Sequence, residues 1–294
     1  MSDARPFLSV VIPTYHRVES LGRCLASLAR QTYPRDRFEI IVVNDGPEDE
    51  PLGVVREHQR ACGVRLINQR HAGPAAARNR GAAEAAGEYL AFTDDDCAPA
   101  PGWLAELAAG LGARAGCAVA GQAVNALPRN VYSAASQALV NYLFSYYNAD
   151  PAAARFLTSN NFAMPAAGFR RIGGFDDSFP LAAAEDRDLC DRWVEGGGPL
   201  LFLPGAVVNH YHELGFRSFW RQQSNYGRGA CTYHRRRSLR GGGKVRVEPP
   251  SFYFNLFLYP LRAGGERAAR VAALFVVAQV ANVCGYFRER LRGE

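Results

Sequence analysis

Little in this chain points to cross-linking or export. Its seven cysteines, Cys24, Cys62, Cys97, Cys117, Cys190, Cys231 and Cys284, are odd in number and scattered, and no two form a CxxC pair. Neither a disulfide framework nor a zinc site is indicated by that spacing, and reduced cytosolic thiols are the simplest account. The opening MSDARPFLSVVIP lacks the apolar core of a signal peptide, so catalysis is expected to face the cytoplasm. No segment repeats, and no apolar run reaches the roughly 20 residues of a confident spanning helix. Lysine is absent from residues 1–200, where 19 arginines face 23 acids for a net charge of −4. Residues 201–294 carry 15 basic residues against 5 acids, a net of +10. The basic character therefore belongs to the C-terminal third and points to an anionic surface or phosphate there. With 48% hydrophobic and 21% charged residues among 294, the composition is that of a globular chain, and wholesale disorder is excluded.

The first half alternates apolar strands with helical spacing. Phe7 to Ile12, Phe38 to Val43, Val64 to Ile67 and Tyr89 to Phe92 read as strands. Leu21, Leu25 and Leu28 mark one helix, with Glu19 and Arg23 as an i,i+4 pair. Residues 50–61 form a second, and Pro74 to Ala86 a third, stopped by Gly87. Such alternation with short loops predicts a parallel, right-handed α/β sheet. Further on, the pattern predicts a strand at Cys117 to Gly121 and helices at 131–147, at Ala184 to Glu195 and at Phe216 to Arg237. Two short strands, Leu200 to Leu203 and Ala206 to Asn209, are expected to deliver His210 and His212.

The stretch YLAFTDDDC, Tyr89 to Cys97, is where chemistry is most legible. A buried strand that ends in Asp94, Asp95 and Asp96 puts three repelling carboxylates where an open α/β sheet binds its ligands. Oxygen ligands of this kind suit Mg²⁺ or Mn²⁺ bridging to a phosphate. The competing reading is a solvated acidic turn or a cap on the helix near Pro101.

Six motifs, SVVIPTYHR, VVNDG, AGPAAARNRG, FTDDD, NNFAM…GGFDDSF and EDRDL, occur in this order over residues 7–212. In this the chain resembles family 2 glycosyltransferases of the GT-A fold. The resemblance implies a Rossmann-related, mostly parallel sheet flanked by helices, and inverting transfer from a nucleoside-diphosphate sugar, with UDP-sugars first. It implies that Pro13, Thr14, Tyr15 and Arg17 meet the nucleotide, with Tyr15 on the base, and that Asp45 recognises the base. Gly73 and Arg78 would stand beside the phosphates, Asp94 beside the ribose or the metal's waters, and Asp95, between Asp94 and Asp96, among the donor-binding residues. Asp96 and Asp94 would bind Mg²⁺ or Mn²⁺ together with His210, or with His212 in its place. Asp186, next to Glu185, would act as general base, and Asn160, Asn161, Gly174 and Phe175 would frame the acceptor. Asp188 is assigned to an ordinary i,i+4 pair with Arg192, and the two asparagines could equally satisfy buried backbone. The QxxRW motif of processive members is missing; WRQQSNYGRGA stands in its region, which argues for transfer of a single sugar. Arg221 and Arg228 either meet the diphosphate or sit on a solvated helix face.

A catalytic domain at 1–214 and a basic helical extension at 215–294 are expected. Arg235, Arg236, Arg237, Arg240, Lys244 and Arg246 precede two apolar segments, 252–261 and 271–287, the second interrupted by Gln279 and Asn282. These segments fit either attachment to the anionic inner face of the plasma membrane or helices packed on protein. No nucleic-acid motif accompanies the charge. Two rival functions share the acidic strand end. A nucleotidyltransferase needs a Gly- and Arg-rich phosphate loop, which Pro13-Thr14-Tyr15 does not supply. A non-catalytic nucleotide-sugar-binding scaffold does not require Asp94, Asp96 and Asp186 to be intact.

Overall fold

The computed structural model describes residues 5–179, 182–242, 248–265 and 267–292. Its first half runs β1 (Leu8–Thr14), α1 (Val18–Leu28), β2 (Phe38–Asn44), α2 (Leu52–Cys62), β3 (Val64–Asn68), α3 (Pro74–Ala83) and β4 (Tyr89–Thr93). Then come β5 (Cys97–Pro99), α4 (Trp103–Ala113), β6 (Ala118–Asn125), α5 (Val131–Tyr147), β7 (Asn161–Pro165) and α6 (Ala166–Arg171). The chain continues through α7 (Glu185–Glu195), β8 (Leu200–His210), α8 (Phe216–Leu239), α9 (Pro250–Ala263) and α10 (Ala268–Arg290).

Among the described residues, eight strands make one sheet in the order β3-β2-β1-β4-β7-β6-β8-β5. The first four run parallel, as the alternation predicts. β7 enters antiparallel to both β4 and β6, β8 is parallel to β6, and β5 closes the edge antiparallel to β8. β1 lies between β2 and β4, so the strand order turns there. The C-terminal ends of those three strands border one crevice, the usual ligand position of an open α/β sheet.

Strand periodicity decides which residues face which layer. Leu8, Val10 and Ile12 of β1 pack with Leu21, Leu25, Trp103 and Leu107 of α1 and α4. Val11, Leu90 and Phe92 turn to the other face, with Phe162, Phe169, Phe175 and Trp193. Each such buried side chain contributes about 1.5–3 kcal/mol. Small residues let α3 lie close on the sheet. A methyl added at Gly81 would run into Val11, so the glycine fixes the height at which Arg78, one turn earlier, reaches the crevice.

Several local expectations are corrected. α3 ends at Ala83, before Gly87. Gly87 instead crosses β1, where its N–H donates to Ser9 Oγ and a Cβ would strike the Ser9 backbone. Arg23 does not pair with Glu19; its guanidinium lies over the Tyr211 ring at 5.1 Å. The two short strands around 200–209 are one, β8. Its register against β6 shifts after Leu203, where Pro204, Gly205 and Ala206 bulge out and pairing resumes at Val207.

A third cluster unites α5 with α8, α9 and α10 through Leu139, Tyr142, Phe219, Phe252, Leu256 and Phe275. α8 and α10 approach so closely that a Cβ at Gly227 would overlap the Asn282 carbonyl, and one at Gly285 the Ser224 carbonyl. Gly285→Ala is therefore expected to cost about 1–3 kcal/mol, read as a lower urea midpoint, because backbone rather than a flexible side chain must give way. An unchanged midpoint would show that the crossing is looser than it stands here. Lys244 and Arg246 of the basic cluster lie outside the described residues.

Candidate active site

The three consecutive aspartates leave the end of β4 in three directions. Asp94 accepts from Arg78 Nη2 at 2.6 Å. Asp95 accepts from Thr14 Oγ1 at 2.8 Å and lies 3.3 Å from Arg17 Nη1. Asp96 accepts from the same Arg17 nitrogen at 2.8 Å through one oxygen and faces His210 Nε2 at 3.4 Å through the other. The last contact is built by the sheet. Cys97 of β5 registers opposite His210 of β8, and Tyr211 N–H donates to the Asp96 carbonyl, so the histidine can only arrive beside Asp96.

These environments separate the acids electrostatically. Burial pushes the Asp95 carboxyl up to about 7 despite Arg17. Burial also opposes ionisation of Asp96, but the His210 hydrogen bond and charge, with Arg17, outweigh it and hold this carboxyl well below the usual range. His210 is raised by Asp96 against its own burial. His212, its ring 5.0 Å from that of His210, is lowered to about 4 by burial and by its neighbour.

Asp96, Cys97 and His210 bring donor atoms within 4.8 Å of one another. Burial drives the Cys97 thiol pKa far up, so it stays protonated and unsuited to a hard cation. The remaining pair fits a six-coordinate Mn²⁺ or Mg²⁺. His212 is turned elsewhere, to Gln222 of α8 at 3.3 Å.

On the far side of Asp94 stands a second acidic group. Buried Arg78 bridges Asp94 to Glu185, with Nη1 3.1 Å from Glu185 Oε1, and lies over the Phe175 ring at 5.5 Å. Its Nε–H is buried without a partner. Glu185 and Asp186 open α7 behind Ala184, a non-glycine residue held at φ +70°, a conformation that costs an alanine roughly 1–2 kcal/mol. Burial, then the charge of Asp186, raises Glu185 to about 7 against Arg78. Burial raises Asp186 as well. The Tyr226 hydroxyl of α8 is pushed up by burial and by Asp186, Glu185 and Asp94, and it accepts from Gln222. Gln222 also meets His212 and Ser136, which ties this part of α8 to the end of β8 and to α5.

The nucleotide side is arranged around Tyr15, 45% exposed, whose ring stacks on His71 at 4.4 Å. Pro13 and Thr14 end β1 beneath it. Asp45 is already occupied: its carboxylate accepts from Gln69 Nε2 and from the Ala72 and Gly73 N–H groups at 2.7–2.8 Å, with His71 at 2.9 Å. It holds the loop that leads into α3, so a base edge reaches it only by displacing Gln69 or His71. The tight turn there is made by Asn44, which accepts from Gly46 N–H.

The residues expected to frame an acceptor are given to packing. Asn161 is fully buried, accepting from Trp103 Nε1 and donating to the Gln122 and Ala206 carbonyls. Asn160 meets Thr158 and Thr93. Phe175 is buried against Phe92 and Phe169, and its backbone is clamped both ways by Asn79. Gly174, at φ +67°, leaves no room for a Cβ beside Asn79. Arg228 pairs with Glu289 of α10 at 2.7 Å rather than pointing at the site, and Arg221 is exposed. Asp188 bonds Arg192, as expected, and also Arg240.

The architecture is that of GT-A glycosyltransferases. A mannosyltransferase from Pyrobaculum calidifontis, solved with GDP-Man and Mn²⁺, aligns over 99% of this chain and 89% of its own, with TM-score 0.68 at 19% identity. Staphylococcus aureus TarS 1–349, solved with UDP-GlcNAc, aligns over 95% and 89% with TM-score 0.56 at 18% identity. Residues 9–173 match the family model for Glycosyl transferase family 2, and the chain belongs to that family. It is 31% identical over 223 residues to validoxylamine A glucosyltransferase of Streptomyces hygroscopicus subsp. jinggangensis, covering 66% of this chain and 53% of that one. With the pre-mycofactocin glycosyltransferase of Mycobacterium tuberculosis the identity is 30% over 231 residues, covering 76% and 47%. The chain spans about half the length of these curated relatives. Glu185, Asp186 and His210 all lie beyond the matched family segment.

Proposed function

We propose that this chain transfers one sugar from a nucleoside-diphosphate sugar, with UDP-sugars first to be tried, to a hydroxyl of a glycan or lipid-linked acceptor, with inversion at the anomeric carbon. The observation that carries this reading is the Asp94–Arg78–Glu185 bridge, which sets an acidic pair of raised pKa opposite the acidic end of β4. Asp186 accepts the acceptor hydroxyl's proton as that oxygen bonds to the anomeric carbon and the bond from that carbon to the diphosphate oxygen breaks. Arg78 holds Glu185 and Asp94 in place. Tyr15 packs on the base, Asp45 fixes the loop before α3, and Arg17 with Asp95 positions Asp96. Asp96 and His210 are the residues that would hold a divalent cation, and such an ion would supply charge neutralisation for the diphosphate leaving group. Tyr226 and Gln222 close the acceptor side. GDP-Man with Mn²⁺ and UDP-GlcNAc in the solved neighbours support a nucleotide-sugar donor and a divalent ion. The absent QxxRW motif supports a single transfer. On this reading the reaction faces the cytoplasm, with the C-terminal helices against the inner face of the plasma membrane.

A panel of nucleotide sugars assayed with Mn²⁺, Mg²⁺ or EDTA tests the reading. Release of nucleoside diphosphate is expected with a metal and to fall on the order of 10²-fold or more with EDTA or in Asp96→Ala. A folded protein that neither binds nor turns over any donor with any cation would overturn the reading and leave the scaffold in its place.

A further inference from the structure

α10 is wrapped in protein on one side only. Val271, Phe275, Ala278, Ala281 and Gly285 face α8 and its neighbours. Asn282, which interrupts the apolar run in the sequence, is on that inner side and donates to Gln223 of α8. The opposite side carries Val276, Val280, Val283, Phe287 and Leu291, each 49–73% exposed. Their spacing of three and four residues makes one stripe, and Ala269 and Ala273 extend it to about 30 Å at about 1.5 Å per residue. No charged or amide side chain interrupts it. Next to α10, α9 adds Phe254, 64% exposed, and Tyr253 and Leu261.

The charges around this face have one sign. Arg262, Arg267, Arg270, Arg288 and Arg292 are exposed on the two helices and their ends. Among the described residues from 248 onward the acids are Glu248 and Glu289, and both are engaged. Glu248 accepts from Tyr146 and Tyr147, and Glu289 pairs with Arg228. A second copy of this chain would bring the same positive rim against itself. An anionic bilayer matches both features, since the stripe enters the acyl boundary while the arginines meet headgroups.

We infer that the outer face of α9 and α10 is a docking surface for an anionic lipid bilayer, on which the chain lies without crossing it. Against the expectation from the shorter apolar run 271–287, the whole of α10, 23 residues, passes for a membrane span by length and composition alone. Its inner half, however, is committed to α8 through the close approach at Gly227 and Gly285. α8 packs on α7, which carries Glu185 and Asp186, by its other side. A docked chain therefore holds its acidic pair two helix-packing steps, about 16–20 Å, beyond the axis of the lipid-facing helix. The inference deepens the reading of the C-terminal helices given above. It is tested without donor or acceptor, so failure to bind lipid and failure to transfer sugar are separate results.

The full chain is to be sedimented with vesicles of phosphatidylcholine alone and of phosphatidylcholine with about one-third phosphatidylglycerol. Binding is expected to the anionic vesicles, weaker in high salt and on the neutral ones. Val280→Glu with Phe287→Glu is expected to weaken it about tenfold or more. Both positions are about half exposed, so circular dichroism and donor hydrolysis should be unchanged. Arg288→Glu with Arg270→Glu is expected to reduce binding without touching the stripe. Absence of binding to either vesicle would overturn the inference, and so would binding indifferent to both pairs of substitutions. A wild-type dimer that Val280→Glu dissociates, with no lipid binding, would give the face to a second copy instead.

Discussion

Asp186→Asn is expected to lower sugar transfer by about 10²–10⁴-fold while nucleotide-sugar binding stays within about twofold. The amide has the shape of the acid, and its oxygen can still accept from Arg187 N–H, so α7 should begin as before. What it cannot do is take the acceptor's proton. The pH profile separates this from a packing defect. Glu185 is held at about 7 by burial and then by the charge of Asp186, and Asp186 is itself raised by burial. The two titrate as a pair, so wild-type transfer should rise with pH above the ordinary carboxylate range rather than through it. In the variant the charge of residue 186 is gone, so Glu185 should fall and the residual activity should level off at lower pH. Transfer within tenfold of wild type would remove Asp186 from the role of base. Loss of donor binding in step with transfer would make it a structural residue.

How much of this site was visible in the sequence depends on how far the partners are apart in the chain. Pro13, Thr14 and Asp94 each close an apolar run, and one run feeding one carboxylate is local information. The direction in which each aspartate turns is not. Asp94 meets Arg78 because Gly81 lets α3 lie low on β1, and Asp96 meets His210 because β5 pairs antiparallel with the end of β8. Both facts are settled by sheet order, which period-two and period-3.6 patterns do not encode. The parallel half of the sheet was readable for the converse reason: short strand–helix alternation allows few topologies. β7 follows a long excursion through α5, and nothing local signals its reversal.

Asp45 and Asn161 show a second limit. Each stands where a ligand-binding residue is expected, and each is engaged by the protein itself: Asp45 by the loop at 69–73, Asn161 by Trp103 and two carbonyls. A polar side chain at a strand end serves a ligand or a loop equally well in sequence. Only the count of its filled hydrogen bonds tells them apart. The C-terminal amides illustrate the same point in reverse. Asn282 makes 271–287 look too polar for a lipid face until the helix is seen to turn it inward.

Arg78→Met should have the largest effect on stability, about 3–5 kcal/mol, because it leaves Glu185 buried beside Asp186 and Asp94 with no cation. The size of the loss should depend on pH in a direction that follows from Glu185. Its acid is held at about 7 in the fold against an ordinary 4.5, so the stability it contributes is fully present below about pH 4.5 and disappears as pH rises through about 7. Arg78 is the group that opposes this rise. Without it Glu185 stays protonated to higher pH in the fold, and the cost of ionising it is felt in full only above that point. Urea midpoints should therefore differ less between variant and wild type near pH 5 than near pH 8. Adding Glu185→Gln should recover part of the loss, since a neutral amide can stand where an unpaired carboxylate cannot. A deficit equal at both pH values, or a double variant no more stable than Arg78→Met alone, would mean that Arg78 acts through packing over Phe175 and not through the charges it bridges. The same two variants then read the site. If the bridge sets the position of Glu185 and Asp186, Arg78→Met/Glu185→Gln should fold well and still transfer poorly, since restored stability does not restore the geometry in which Asp186 meets an acceptor.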